Sequence, residues 1–152
     1  MTTFDDVRDL YQEVILDHGR RPRHAGRLER FDARAKGDNP MCGDRVEVFL
    51  AYAPDGRIAE AKFDARGCAI SIASADLMAE TIAGRSPQDA RALFAQFRDM
   101  ARTGACPECD DAMERLRPLS GVHEYPSRVK CATLPWHALL AALDGGGQAT
   151  SE

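Results

Sequence analysis

Three short stretches of this chain place thiols where they could do chemistry. "NPMCGDRVEV" sets Cys42 in a turn with Pro40 and Gly43, and puts Asp44 two residues on. "RGCAIS" carries Cys68 directly after a glycine, and "SRVKCATLP" carries Cys131. Three thiolates and a carboxylate form a competent tetrahedral set for zinc, and equally a holder for an iron-sulfur cluster. Their separations match no compact zinc-finger template, so spacing alone leaves buried, inert cysteines open as the alternative. The other two thiols, Cys106 and Cys109 of "CPEC", read as a redox pair, as half of a metal site shared between subunits, or as inert surface groups. A zinc site needs about four ligands and no second pair is unassigned, so a second complete site within one chain is not expected.

The histidines are less informative. His18 and His24 bracket "GRRPR", which reads as a solvated basic loop or as a dock for an acidic patch on a partner. His137 follows Trp136 in a helical pattern and reads as a surface or half-buried residue rather than a ligand.

Positioning these groups requires a scaffold, and 152 residues with 44% hydrophobic content suffice for one domain, expected over 1–144. Residues 3–17 place Phe4, Val7, Leu10, Tyr11, Val14 and Ile15 on one helical face. Val46, Val48, Leu50 and Tyr52 alternate over 45–53, and "APDG" turns the chain into a second strand over 57–66. Cys42 therefore falls just before one end of a hairpin and Cys68 just past the other, at a junction into a helix carrying Ile72, Ala75, Met78 and Ile82. "SPQD" opens the next helix, with Ser86 as cap and Pro87 in its first turn. A polar insert and a shorter helical stretch over 108–116 follow. The last helix is predicted to start near Pro135, with Cys131 at its N-terminus. "DGGGQATSE" lacks apolar periodicity, and residues 145–152 are expected to form a disordered tail. The fold class is α+β: a small antiparallel sheet with helices packed mainly on one face.

The formal net charge of −4 argues against a nucleic-acid partner, which calls for a basic stripe. No apolar run approaches the length of a membrane span, and "MTTFDDVRDL" lacks the features of a signal peptide. The expectation is a cytoplasmic protein with no membrane partner, in a compartment that keeps thiols reduced. No nucleotide-binding loop, Ser-His-Asp set or paired-carboxylate cleft is seen.

The stretches "LYQEVILDHGRRPRHAG", "NPMCGDRVEV", "AKFDARGCAISIASADLM" and "GVHEYPSRVKCATLPWHALL" together resemble the U-type iron-sulfur cluster assembly proteins. That group includes IscU and the N-terminal part of NifU, and the SufU subgroup is the most similar. The resemblance runs from residue 10 to about 140 and implies that Cys42, Asp44, Cys68 and Cys131 are metal ligands. It implies further that Cys42 accepts sulfur as a persulfide. Arg128, three residues before Cys131, is singled out as a helper whose guanidinium can hydrogen-bond a released thiolate or persulfide. IscU-type scaffolds carry a histidine immediately before the last cysteine, where this chain has Lys130, and they lack an insert like that at 98–118. Both departures favour the SufU subgroup.

The activity so implied is zinc-dependent sulfur transfer. A SufS-type cysteine desulfurase that uses pyridoxal phosphate supplies the sulfur, and the iron-sulfur assembly machinery receives it. Docking of the desulfurase is implied to free Cys42 by exchanging a partner histidine onto the zinc. The alternative is a non-enzymatic scaffold that builds an iron-sulfur cluster in place of binding zinc.

Overall fold

The computed structural model describes residues 4–40, 43–106, 109 and 111–150. Helix α1 (Phe4–Arg20) leads through a loop to β1 (Ala33–Asn39), β2 (Asp44–Tyr52) and β3 (Ile58–Arg66). Helices α2 (Ala69–Ile82) and α3 (Pro87–Thr103) follow, then a 3₁₀ helix (Asp111–Glu124), α4 (Pro126–Leu143) and a short β4 (Gly147–Thr150). The sheet order is β3-β2-β1-β4, with β1, β2 and β3 antiparallel and β4 parallel to β1.

Alternation along β2 sorts its side chains between two faces. Val46, Val48 and Leu50 join Ala35 of β1 and Ala61 and Phe63 of β3 in the core beneath the helices. Asp44 continues this row at the end of the strand, so the pleat that buries three aliphatic side chains also turns a carboxylate inward. On the opposite face no helix is needed. Phe31 meets Phe49 edge-on at 5.4 Å, and Arg27 lies over the Phe49 ring while pairing with Glu47. Helices on one face and an antiparallel core of strands are as the sequence predicts.

Four features differ from the sequence-based expectation. Strand β1 has only Ala35, Gly37 and Asn39 on its inward positions, so it shows no hydrophobic alternation. Small residues are needed there because α4 packs closely: a Cβ at Gly37 would lie 3.1 Å from Leu134 and 3.3 Å from Ala138. Of the stretch expected as a short helix over 108–116, residues 108 and 110 lie outside the described residues, and the chain from Asp111 forms a 3₁₀ helix extending to Glu124. Its buried residues Met113, Leu116, Leu119 and Val122 recur every third position, and three residues per turn brings them onto one face. Helix α4 starts at Pro126 rather than near Pro135. Pro126 occupies its first turn, where no N–H is needed, while Pro135 is tolerated in the interior, one residue before the fully buried Trp136. Finally, Gly147–Thr150 of the expected disordered tail pair with β1. Backbone hydrogen bonding, which needs no apolar side chain, accounts for that strand.

Candidate metal centre

The centre forms where β2 begins, β3 ends and α2 starts. Gly67, between β3 and α2, has φ +151, and a Cβ there would collide with the Asp44 carboxylate. Glycine thus lets the chain pass against Asp44 and turn into the helix. The carboxylate answers by accepting a hydrogen bond through Oδ1 from the Cys68 N–H at 3.0 Å. Cys68 is the N-cap of α2: its backbone is extended, and its sulfur accepts from the Ser71 N–H at 3.4 Å. A cap sulfur at a helix N-terminus is favoured as thiolate by the exposed amides and the helix dipole. Asp44 Oδ2 lies 3.7 Å from the same sulfur.

Cys131 comes from α4 and is 6% exposed. It sits in the second turn of that helix rather than at the N-terminus predicted for it, because α4 begins five residues earlier. The helix dipole, which acts within the first turn, therefore supports Cys68 and not Cys131. One ligand atom each from Asp44, Cys68 and Cys131 lies within 4.8 Å of the others. Two sulfurs and a carboxylate oxygen gathered this closely fit the donor preferences and size of a zinc ion. The structure so brings together three of the four residues singled out by sequence. The fourth, Cys42, lies outside the described residues.

Arg128 is exposed in the first turn of α4, one turn before Cys131, with its guanidinium 5.9 Å from the centre of the Tyr125 ring. It borders a groove of about 720 Å³ that also meets Ala69 and Ile70, the two residues after Cys68. Lys130 is exposed. Cys106 and Cys109 are joined as a disulfide, with Cα atoms 5.3 Å apart, and are half-buried against the core between α3 and the 3₁₀ helix. His137 is half-buried beside Phe94, and burial lowers its pKa below the usual histidine value, with Arg98 adding to the shift.

Sequence reasoning missed a second cluster. Asp76, fully buried in α2, accepts from His18 Nδ1 through Oδ2 at 2.5 Å, and through Oδ1 from the N–H groups of Arg23 and His24 at 2.8 Å each. The segment read as a solvated basic loop is therefore pinned to α2. Its Arg23 guanidinium turns back to Asp17, 2.6 Å away, and that bond is the main reason the Asp17 carboxyl is held below its ordinary pKa. An aspartate in the middle of "AISIASADLMAETI", a helix whose preceding residues are all small or apolar, was the available signal.

A model of the NifU-like N-terminal domain matches residues 10–132. The chain belongs to that family. Among curated relatives, the zinc-dependent sulfurtransferase SufU of Bacillus subtilis (strain 168) is 39% identical over 143 residues, covering 90% of this chain and 93% of SufU. The iron-sulfur cluster assembly scaffold protein IscU of Streptococcus pyogenes serotype M1 is 35% identical over 137 residues, covering 90% of this chain and 84% of its own. Among solved structures, a SufU of Fervidobacterium islandicum AW-1, described as an iron-sulfur cluster assembly scaffold for the SUF system, superposes with a TM-score of 0.79. It is 33% identical, with 90% of this chain and 98% of that one covered. A NifU-like N-terminal protein from Brucella abortus, 23% identical with a TM-score of 0.79, shares the fold. The chain thus covers between 84% and 98% of these relatives' lengths, and the thiol–carboxylate cluster lies within the region matched by the family model.

Proposed function

We propose that this NifU-like protein serves iron-sulfur cluster assembly as a zinc-dependent sulfurtransferase, with Cys42 receiving sulfur from a cysteine desulfurase. The observation that carries the reading is the convergence of buried Asp44 and Cys131 with half-buried Cys68, in a chain similar along almost its whole length to a zinc-dependent sulfurtransferase. Asp44, Cys68, Cys131 and, from its place in the motif, Cys42 are the residues that would hold zinc. Bound zinc would stabilise the thiolates and keep the three elements joined between transfers.

The transfer itself is thiol chemistry. The Cys42 thiolate attacks the outer sulfur of the desulfurase persulfide, a new S–S bond forms, and the old one breaks with its electron pair leaving on the desulfurase cysteine. The persulfide now sits on Cys42, and the desulfurase regains a free thiolate for its next turnover. Cys68 and Cys131 suit a retaining role, since both are held on helices, whereas Cys42 precedes Gly43, whose φ of +74 marks a tight turn. Arg128, exposed on a groove that also meets Ala69 and Ile70, would serve as a counter-charge for a released thiolate.

The test is alanine production by desulfurase with cysteine in excess and zinc content matched. Wild-type protein should raise turnover well above background, Cys42→Ser should abolish the rise, and Arg128→Ala should give an intermediate loss. Absence of stimulation by wild type, or full stimulation by Cys42→Ser, refutes transfer through Cys42. The scaffold reading is favoured by the similarity to IscU scaffold proteins, and anaerobic purification separates the two. Colourless protein with one zinc per chain supports transfer; a brown chromophore with stoichiometric iron and sulfide supports cluster building.

A further inference from the structure

The first turn of α2 contains a polar atom that the centre does not use. Ser71 is 1% exposed, and its Oγ has no hydrogen-bond partner among the described residues. A buried hydroxyl without a partner costs free energy, and such groups are rare enough to call for a cause. Its surroundings suggest one. Side chains of a helix tilt toward the N-terminus, so that of Ser71 leans toward the mouth of α2, where its own N–H already meets the Cys68 sulfur at 3.4 Å. A side chain three residues past a helix cap can reach back to the cap residue's N–H, but Asp44 holds that N–H at 3.0 Å, and the hydroxyl is left over.

The same mouth carries backbone donors. The four leading N–H groups of a helix have no partner within it. Here Asp44 takes that of Cys68 and the Cys68 sulfur takes that of Ser71, while the N–H groups of Ala69 and Ile70 belong to the same leading turn of the helix. A 14-residue helix adds its dipole, which favours negative charge at this end.

We propose that the mouth of α2, with Ser71 Oγ as its side-chain donor, is a subsite for anionic sulfur: the outer sulfur of a persulfide arriving at the centre. An anionic terminal sulfur is a good hydrogen-bond acceptor, and Ser71 Oγ, without a partner among the described residues, would donate to it. Ser71 is a positioning residue, and its role rests on the transfer reading above.

The experiment uses the zinc-loaded full chain. Wild type, Ser71→Ala and Ser71→Thr are charged by desulfurase and cysteine, the desulfurase is removed, a fixed excess of a small thiol is added to take the outer sulfur, and loss of the added sulfur atom is followed by intact-protein mass spectrometry. Ser71→Ala should bind zinc normally and melt no lower than wild type, since it deletes an unpartnered group. It should nevertheless lose its sulfur about tenfold faster, the scale of one hydrogen bond to a charged acceptor. Maximal stimulation of the desulfurase should fall with the half-saturating concentration unchanged, and Ser71→Thr should restore both. Equal sulfur lifetimes in wild type and Ser71→Ala overturn the subsite. Parallel loss of zinc and melting temperature in Ser71→Ala would show a structural role and overturn it too. A wild-type protein that never gains sulfur defeats the transfer reading itself, and this inference with it.

Discussion

Asp44 and Asp76 are the same residue at the same depth, 2% and 0% exposed, and they do different work because of what surrounds them. Asp76 meets two backbone amides and an imidazole, all donors fixed by the fold, and so fastens the loop after α1 to α2. Asp44 meets the Cys68 amide and lies beside two sulfurs, which release protons and take metals. A carboxylate ringed by nitrogen–hydrogen donors is a structural tie, whereas one ringed by thiols is available for exchangeable chemistry. Burial alone does not separate the two.

The comparison can be broken from either side. The largest effect should come from the metal: removing zinc by chelation should cost about 4 kcal/mol of stability, relative to free zinc at a thousandfold excess over Kd. Asp44→Ala and Cys131→Ser should each lower bound zinc, measured by metal analysis, while far-ultraviolet circular dichroism shows the fold retained. Next, Asp76→Ala should cost about 3 kcal/mol in denaturant unfolding, because it strands buried donors, yet leave one zinc per chain. Zinc loss in Asp76→Ala, with normal zinc in Asp44→Ala, would invert the assignment. Gly67→Ala should cost about 2 kcal/mol and weaken zinc binding together, since its Cβ displaces the Asp44 carboxylate. Ser74→Ala, which removes a 2.5 Å bond from α2 to the Ala132 carbonyl on α4, should cost about 1 kcal/mol with zinc unchanged. The smallest effect is expected of Cys106→Ser combined with Cys109→Ser, which should alter neither zinc content nor desulfurase stimulation.

What could be read from sequence was what has a period or a motif. Val46, Val48 and Leu50 announce β2 by alternation, and the same alternation carries Asp44 to the inner face. Ser86 caps α3 as predicted, accepting from the Asp89 N–H at 3.1 Å. Strand β1 was invisible because its inward positions are small or polar to admit α4. The 3₁₀ helix was legible only to a three-residue period, and a search at 3.6 stops short within it. The start of α4 was hidden by a second proline, since Pro126 and Pro135 both look like first-turn residues. The tie from His18 to Asp76 spans 58 positions, and no local pattern joins residues so far apart.

Strand β4 has a consequence for how this molecule meets its neighbours. It covers one rim of the sheet. The other rim, along β3, is taken by the segment around Ala25, where Phe63 exchanges backbone hydrogen bonds with His24 and Gly26. An edge strand of only four residues on one side and a partly bridged β3 on the other offer little template for an incoming strand, so accidental sheet extension between molecules is suppressed at high concentration. Cutting the chain after Gly146 would bare β1, and light scattering should then rise with protein concentration even though the thiol cluster is untouched.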